Sequence, residues 1–183
     1  MTELFLNDRL KQLLPLYKNF LVKEVYPIEL GIITKPFRQS LSILKDLRQK
    51  AKAQKLFAPH LSPEEGGVGL NLMEFAQVSE VLGTSPIGHL IFNCNAPDIG
   101  NMELMHQFAS ADLKKKYLHP LMNGDIRSCF AMTEPEFAGS NPVNMATTAI
   151  REGDHYIING HKWFTTAADG AHFTIVMAVT DAT

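Results

Sequence analysis

The spacing of apolar residues changes once along this chain, near Asp125, and that change constrains the fold more than any other feature. Before it, apolar side chains recur at three- and four-residue steps, the period of an amphipathic helix. After it they recur at every second residue, the period of a half-buried strand. Helices followed by strands, without alternation, define an α+β fold rather than a parallel α/β sheet. The expectation is an all-α helical bundle over residues 1–125, followed by the start of an antiparallel β-barrel or sandwich domain over 126–183.

In the first part, Leu6, Leu10, Leu13, Tyr17, Phe20 and Leu21 form one helical stripe over residues 3–25. A kink or break is predicted at Pro15 and a stop at Pro27. Phe37, Leu41, Leu44, Leu47 and Ala51 form a second stripe, ending near Phe57 and Pro59. Asn71 and Glu74 have capping-box spacing and open a helix to about Leu82, with Gly83 placed as its C′ residue. A short helix follows Pro86, another starts at Asp98, and Ser110 caps a charged one ending at Pro120. Short connections between these helices fit an orthogonal bundle. In the second part 144–151, 155–158, 161–166 and 173–179 read as strands, with Glu152-Gly153-Asp154 and Asn159-Gly160 as tight turns. The last strand is apolar and has no sequence after it to cover it, so the chain is expected to be truncated or to pair with something further.

Two segments at the start of the β part carry the functional signal. Residues 127–141 read RSCFAMTEPEFAGSN, and 159–168 read NGHKWFTTAA. The first runs from an apolar strand, Cys129 to Met132, into Thr133, Glu134 and Pro135, then a turn of small residues, Ala138, Gly139, Ser140 and Asn141. Backbone donors there are open to close approach by a polyanionic or heteroaromatic ligand. The second segment supplies Trp163 with the hydroxyls of Thr165 and Thr166, which suit a flat, polar-edged ring system. The same residues also read as a β-hairpin with a packed tryptophan and a polar turn, and residue type alone leaves both readings open.

Other constellations narrow the field. The glycine-rich stretch 61–71 lacks Gly-Lys-Ser/Thr and GxGxxG and follows no strand, so it reads as a helix-to-helix connection. The seven histidines form neither HExxH nor a His/Cys cluster, so no metal site is expected. Glu134 and Glu136 flank Pro135, but their relative facing is not fixed by sequence and they are not assigned as an acid/base dyad. A net charge of −2, with only the lysine triplet at 114–116 as a basic run, argues against a nucleic-acid surface. Cys94 and Cys129 form no CxxC and read as small buried hydrophobes in a reducing compartment. No stretch is apolar and long enough to span a membrane, and the start lacks the basic-then-apolar pattern of a secretory signal, so a cytoplasmic location is expected.

MTEPEFAGSN followed by INGHKWFTTAA resembles the two flavin-contacting segments of the acyl-CoA dehydrogenases, whose usual forms read TEP, a short gap, GSD, and then INGxKxWIT. NCNAPDIGNMELM, at 93–105, resembles the branch that includes members fused to an aminoglycoside-kinase-like domain. The resemblance covers nearly the whole chain and about the first half of the family's length.

By that resemblance the strand through Phe130, Ala131, Met132 and Thr133 lies along the flavin of FAD. The backbone near Ala131 and Met132, and the Thr133 hydroxyl, bond its pyrimidine edge and N5 region. Gly139 and Ser140 match the turn at the FAD pyrophosphate, and Ser140 also lies near the bound thioester. Trp163 packs on the flavin face opposite the substrate and Thr165 bonds the ring edge. Three departures stand out: an extra residue between Pro135 and Gly139, Asn141 in place of the usual Asp, and His161 in place of a frequent Arg. The implied reaction is α,β-dehydrogenation of an acyl-CoA, with electron-transfer flavoprotein as redox partner and a dimer or tetramer as assembly. In the family the glutamate base and the C-terminal helices lie beyond the matched part, so no catalytic residue is expected here and the chain alone is expected to be inactive. The alternative is a non-catalytic flavin- or acyl-CoA-binding module, or an interaction domain, descended from the same family.

Overall fold

The structure, a computed structural model, describes residues 6–139 and 141–181. Helix α1, Asp8–Phe20, starts at Asn7, whose side chain accepts the Leu10 N–H, with Asp8 in the first turn where a negative charge suits the helix dipole. The expected residues 3–5 lie outside the described residues. Pro15 sits inside α1 without ending it. Burial of Leu10, Leu14, Tyr17 and Phe20 along one face outweighs a proline penalty of about 3 kcal/mol.

Pro27 does not stop the chain either. Leu21–Val25 form a π-turn in which the Tyr26 N–H reaches the Leu21 carbonyl, and helix α2, Tyr26–Ile33, follows with Pro27 in its first turn. A proline at that position gives up an N–H that had no helical partner. The same device recurs after Leu41–Ala53 (α3), Leu72–Leu82 (α4), Gly88–Ile91 (α5), Asp98–Phe108 (α6) and Ala111–Leu113 (α7). There the π-turn Lys114–Leu118 leads into His119–Met122 (α8), with Pro120 in its first turn.

The capping box of Asn71 and Glu74 opens α4 as the spacing predicts, and Ser110 caps α7. Gly83 closes α4 at φ −67, a right-handed conformation, so it is the C-cap residue rather than a left-handed C′ glycine. The glycine-rich stretch is the helix connection expected of it. A Cβ on Gly67 would meet the Ala58 carbonyl oxygen at 2.5 Å, which is why the loop passes there as glycine. One core joins the helices, centred on the fully buried Tyr17, Phe20 and Phe92, whose rings meet edge to face at 5.1 Å. The Tyr17 hydroxyl donates to the Leu56 carbonyl at 2.9 Å, satisfying both groups inside that core.

Four short strands follow: Ser128–Ala131 (β1), Thr148–Glu152 (β2), His155–Asn159 (β3) and Phe173–Val176 (β4). Strands β2 and β3 form the expected antiparallel hairpin, with Glu152 opposite His155. Gly153 takes the positive φ, 61, that the first residue of so tight a loop requires. Strands β1 and β4 pair in parallel, Ser128 opposite Phe173, because the hairpin and its flanking loops form the crossover between them. Among the described residues the strands make two two-stranded sheets and no closed barrel.

Residues 161–166 are not a strand. Gly160 presses onto Thr147, and Trp163 N–H bonds the Thr133 carbonyl at 3.1 Å instead of a ladder partner, so Asn159-Gly160 ends β3 rather than turning a second hairpin. The apolar run 173–179 is not bare. Its first half pairs with β1, and beyond it Val179 exchanges bonds with Thr147 and Ala149 at 2.8 and 2.9 Å.

Candidate functional site

The candidate site is built where β1 ends. Its start is fixed from the helical side: the buried Asp98 carboxylate at the head of α6 accepts from Ser128 N–H at 2.8 Å and from Ser128 Oγ at 2.6 Å. Asn101, one turn on, donates to Ser128 Oγ at 2.9 Å and to the Cys129 carbonyl at 3.3 Å. Cys94 and Cys129 are both free and buried, and Cys129 Sγ lies 3.0 Å from Thr174 Oγ1.

Ala131 to Glu134 are each held by donors from elsewhere in the β part. Ala131 carbonyl accepts from Met177 N–H at 3.0 Å, Met132 carbonyl from Lys162 Nζ at 2.8 Å, and Thr133 carbonyl from Trp163 N–H at 3.1 Å. Glu134 follows, buried, its carboxylate accepting from Ala146 N–H at 2.6 Å, Thr147 N–H at 2.9 Å and Lys162 Nζ at 2.8 Å. Burial alone raises a carboxyl pKa; the Ala146, Lys162 and Thr147 donors more than offset it and hold Glu134 at about 2. A group so firmly ionised and enclosed is a structural anchor and not a proton acceptor near neutrality. Glu136 by contrast is exposed, 3.8 Å from His161, so the two glutamates around Pro135 do not converge.

Around this anchor the structure brings Thr133, Gly139 and Trp163 together. Phe130, Met132 and Thr133 are half-buried and Ala131 is buried. Gly139 folds back onto Thr133 so closely that a Cβ would lie 2.7 Å from Thr133 Cγ2 and 3.0 Å from its hydroxyl. Ser140 lies outside the described residues. Trp163 packs against Phe164 with ring centroids 4.6 Å apart. Phe164 is the more open ring, 79 % exposed against 42 % for Trp163. Thr165 is half-buried, and its carbonyl accepts from Ala168 N–H at 3.2 Å in the turn that follows. An aromatic wall, a hydroxyl-bearing strand end and a glycine cradle together fit a planar ring with a phosphate tail.

Two contributors were not among the expected residues. Lys162 ties the two segments together, bonding both Met132 and Glu134; a lone lysine inside an aromatic run was the available signal. Phe164 was the other. Counting from Lys162, INGHKWFTT laid on INGxKxWIT puts Phe164 at the tryptophan and Thr166 at the final threonine.

Residues 7–125 match the family model for the acyl-CoA dehydrogenase N-terminal domain, and residues 129–183 match that for the acyl-CoA dehydrogenase middle domain. The chain belongs to the acyl-CoA dehydrogenase family. Among curated relatives, acyl-CoA dehydrogenase family member 10 of Mus musculus is 43% identical over 155 residues, covering 80% of this chain and 14% of the relative. Family member 11 of Gallus gallus is 34% identical over 189 residues, covering 97% and 24%. An acyl-CoA dehydrogenase homologue from Mycobacterium abscessus superposes with a TM-score of 0.87 at 36% identity, covering 96% of this chain and 47% of that one. The acyl-CoA dehydrogenase of Bacillus anthracis complexed with FAD superposes at 0.72 with 26% identity, covering 94% and 29%. The chain therefore spans about half the length of the first structure and a quarter or less of the two relatives. Among the described residues no helix is long and apolar enough to cross a membrane.

Proposed function

We propose that this chain is the flavin-holding front half, residues 1–125 and 126–183, of an FAD-dependent acyl-CoA dehydrogenase that carries out α,β-dehydrogenation of an acyl-CoA thioester. The observation that carries the reading is the Glu134–Lys162 anchor, which draws the TEP and NGHKWFT segments into one surface. FAD, when bound, supplies the acceptor for the two electrons that leave the substrate β-carbon as hydride. The protein groups do the rest. Phe130 to Thr133 present a strand edge to the ring, with the Thr133 hydroxyl as donor. Gly139 and Ser140 meet the pyrophosphate, and Ser140 also faces the thioester. Trp163 and Phe164 form the wall opposite the substrate, and Thr165 and Thr166 supply the hydroxyls for the ring edge.

No residue of this chain is assigned as the base that removes the α-proton; that group belongs to the remainder of the protein. The whole protein would take acyl-CoA as substrate, pass electrons to an electron-transfer flavoprotein in the cytoplasm, and assemble as a homo-oligomer.

The test is a visible absorption spectrum of the purified chain after excess FAD has been added and the unbound fraction removed. The expected result is retained flavin absorbance, reduced about tenfold in affinity by Phe164→Ala and by Gly139→Ala, whose added methyl would push Thr133 aside. If neither this chain nor the longer protein binds flavin, the assignment falls.

A further inference from the structure

A cleft of about 640 Å³ opens between α3, the 123–127 segment and the 168–172 loop. Its residues are not those of the Thr133–Trp163 surface. Arg38, Lys45, Arg48, Lys52 and Arg127 line it, and Asp125 is the sole acid among its lining residues. This concentration of positive charge occurs on a chain whose net charge is −2. Two further carboxylates stand close by: Asp169 at 3.2 Å from Arg38 and the buried Asp98 at 3.9 Å from Arg127. The cations remain in excess after both are counted.

Two of these cations are held away from water. Arg48 is buried, donating through Nε and Nη2 to the Leu90 carbonyl and through Nη1 to the Gly124 carbonyl at 2.6 Å. Neutral carbonyls orient its charge without cancelling it. Arg127 lies over the Phe37 ring at 4.2 Å, and its buried Nε has no hydrogen-bond partner, Asp98 being too far to supply one. Burial lowers the pKa of both, that of Arg48 to about 10, yet both stay charged near neutrality. Like charges held side by side in a partly desolvated cleft attract an anion more strongly than the same charges on an open surface. Planar guanidinium forks match the oxygens of phosphate in particular. Lys45 is exposed at the mouth and has no ion-pair partner among the described residues.

We propose that this cleft binds a phosphate-bearing small molecule, with Arg127 and Arg48 on its floor and Lys45 and Arg38 at its mouth. Its volume is in the range of small-ligand sites. Residues of the helical part and of the β part both line it, so occupancy would brace the two parts against each other.

The test is a calorimetric and thermal-melting titration of the chain with inorganic pyrophosphate at constant ionic strength, sodium chloride serving as the control. Saturable binding that raises the melting temperature is expected, with affinity falling about tenfold in Arg127→Met. Lys45→Gln and Arg38→Gln, both at exposed positions, are expected to weaken binding too and keep the test open should Arg127→Met fail to fold. Gly139→Ala, which perturbs the proposed flavin surface, is expected to leave pyrophosphate affinity unchanged, and Lys45→Gln to leave flavin retention unchanged. The proposal is overturned if binding is not saturable at constant ionic strength, if Lys45→Gln and Arg38→Gln bind as the parent does, or if Gly139→Ala abolishes pyrophosphate binding.

Discussion

A carboxyl group only 2 % exposed would ordinarily titrate high, because burial penalises its charge; Glu134 is held at about 2 instead by donors from Ala146, Lys162 and Thr147. The sign of its contribution to stability follows. The folded pKa lies below the ordinary value of 4.5, so the charged form is favoured by folding. The stabilisation is complete above about pH 4.5 and is lost as pH falls towards 2. Glu134→Gln is therefore expected to lower the melting temperature near neutrality, with the gap to the parent narrowing as pH falls from about 4.5 towards about 2. A constant gap across that range in paired melts would show that the Glu134 charge does not contribute. Sequence alone displayed Glu134 as part of TEP and Lys162 as part of the aromatic segment, but not their pairing. Which way a side chain faces after a proline depends on the path of the chain, and that path is set here by backbone bonds from Ala146 and Thr147. The identity of the exposed ring was similarly hidden: Trp163 attracts notice as the sole tryptophan, while the positive φ of 49 at Phe164 turns the next ring outward.

At the scale of elements, β1 is held on α6 by a buried polar junction rather than by apolar contact alone. Ser128 donates to Asp98 and accepts from Asn101, and all three side chains are buried. Ser128→Ala would remove two hydrogen bonds where water does not reach, leaving Asn101 Nδ2 with the Cys129 carbonyl alone and the Asp98 oxygen with the Ser128 N–H alone. The expected cost is about 1–3 kcal/mol, read as a lower urea midpoint with an unchanged slope. Ser128→Thr, which keeps the hydroxyl, should recover part of it; equal midpoints for Ser128→Ala and the parent would remove the junction from the account of stability. Helix positions were legible because the apolar period and the caps at Asn71 and Ser110 act within a few residues of each other. The continuation through Pro27 and Pro120 was not, since a proline normally ends a helix and only the preceding π-turn moves its ring clear of the carbonyl behind it. The strands were legible as apolar runs, while the parallel pairing of β1 with β4 was not, because period two carries no information about the direction of a neighbour.

Across the whole molecule, apolar burial is uneven. The contiguous core belongs to the helices, with Phe173 and Ile175 of β4 packed against its edge. In the β2–β3 hairpin, Ala149 is the one strand residue that is buried; Ile150, Tyr156, Ile157 and Ile158 all stand exposed, and every residue of β3 is open. Such a hairpin is held by its own ladder and by the bridge from Val179, and two strands without a covered face are only marginally stable in water. Opening it should therefore require far less free energy than unfolding the helices. Native-state hydrogen exchange is expected to show the amides of β2 and β3 exchanging at least about tenfold faster than those of α1 and α4 around Tyr17 and Val78. The β1 amides should follow the helices, since Ser128 and Cys129 are pinned to α6. Equal protection in the hairpin and in α1 would mean either that a second copy of the chain covers Ile150 and Ile158 in solution or that the ladder alone holds the hairpin. Dilution would then separate the two cases: protection conferred by another copy of the chain falls with concentration, and protection conferred by the hairpin's own ladder does not.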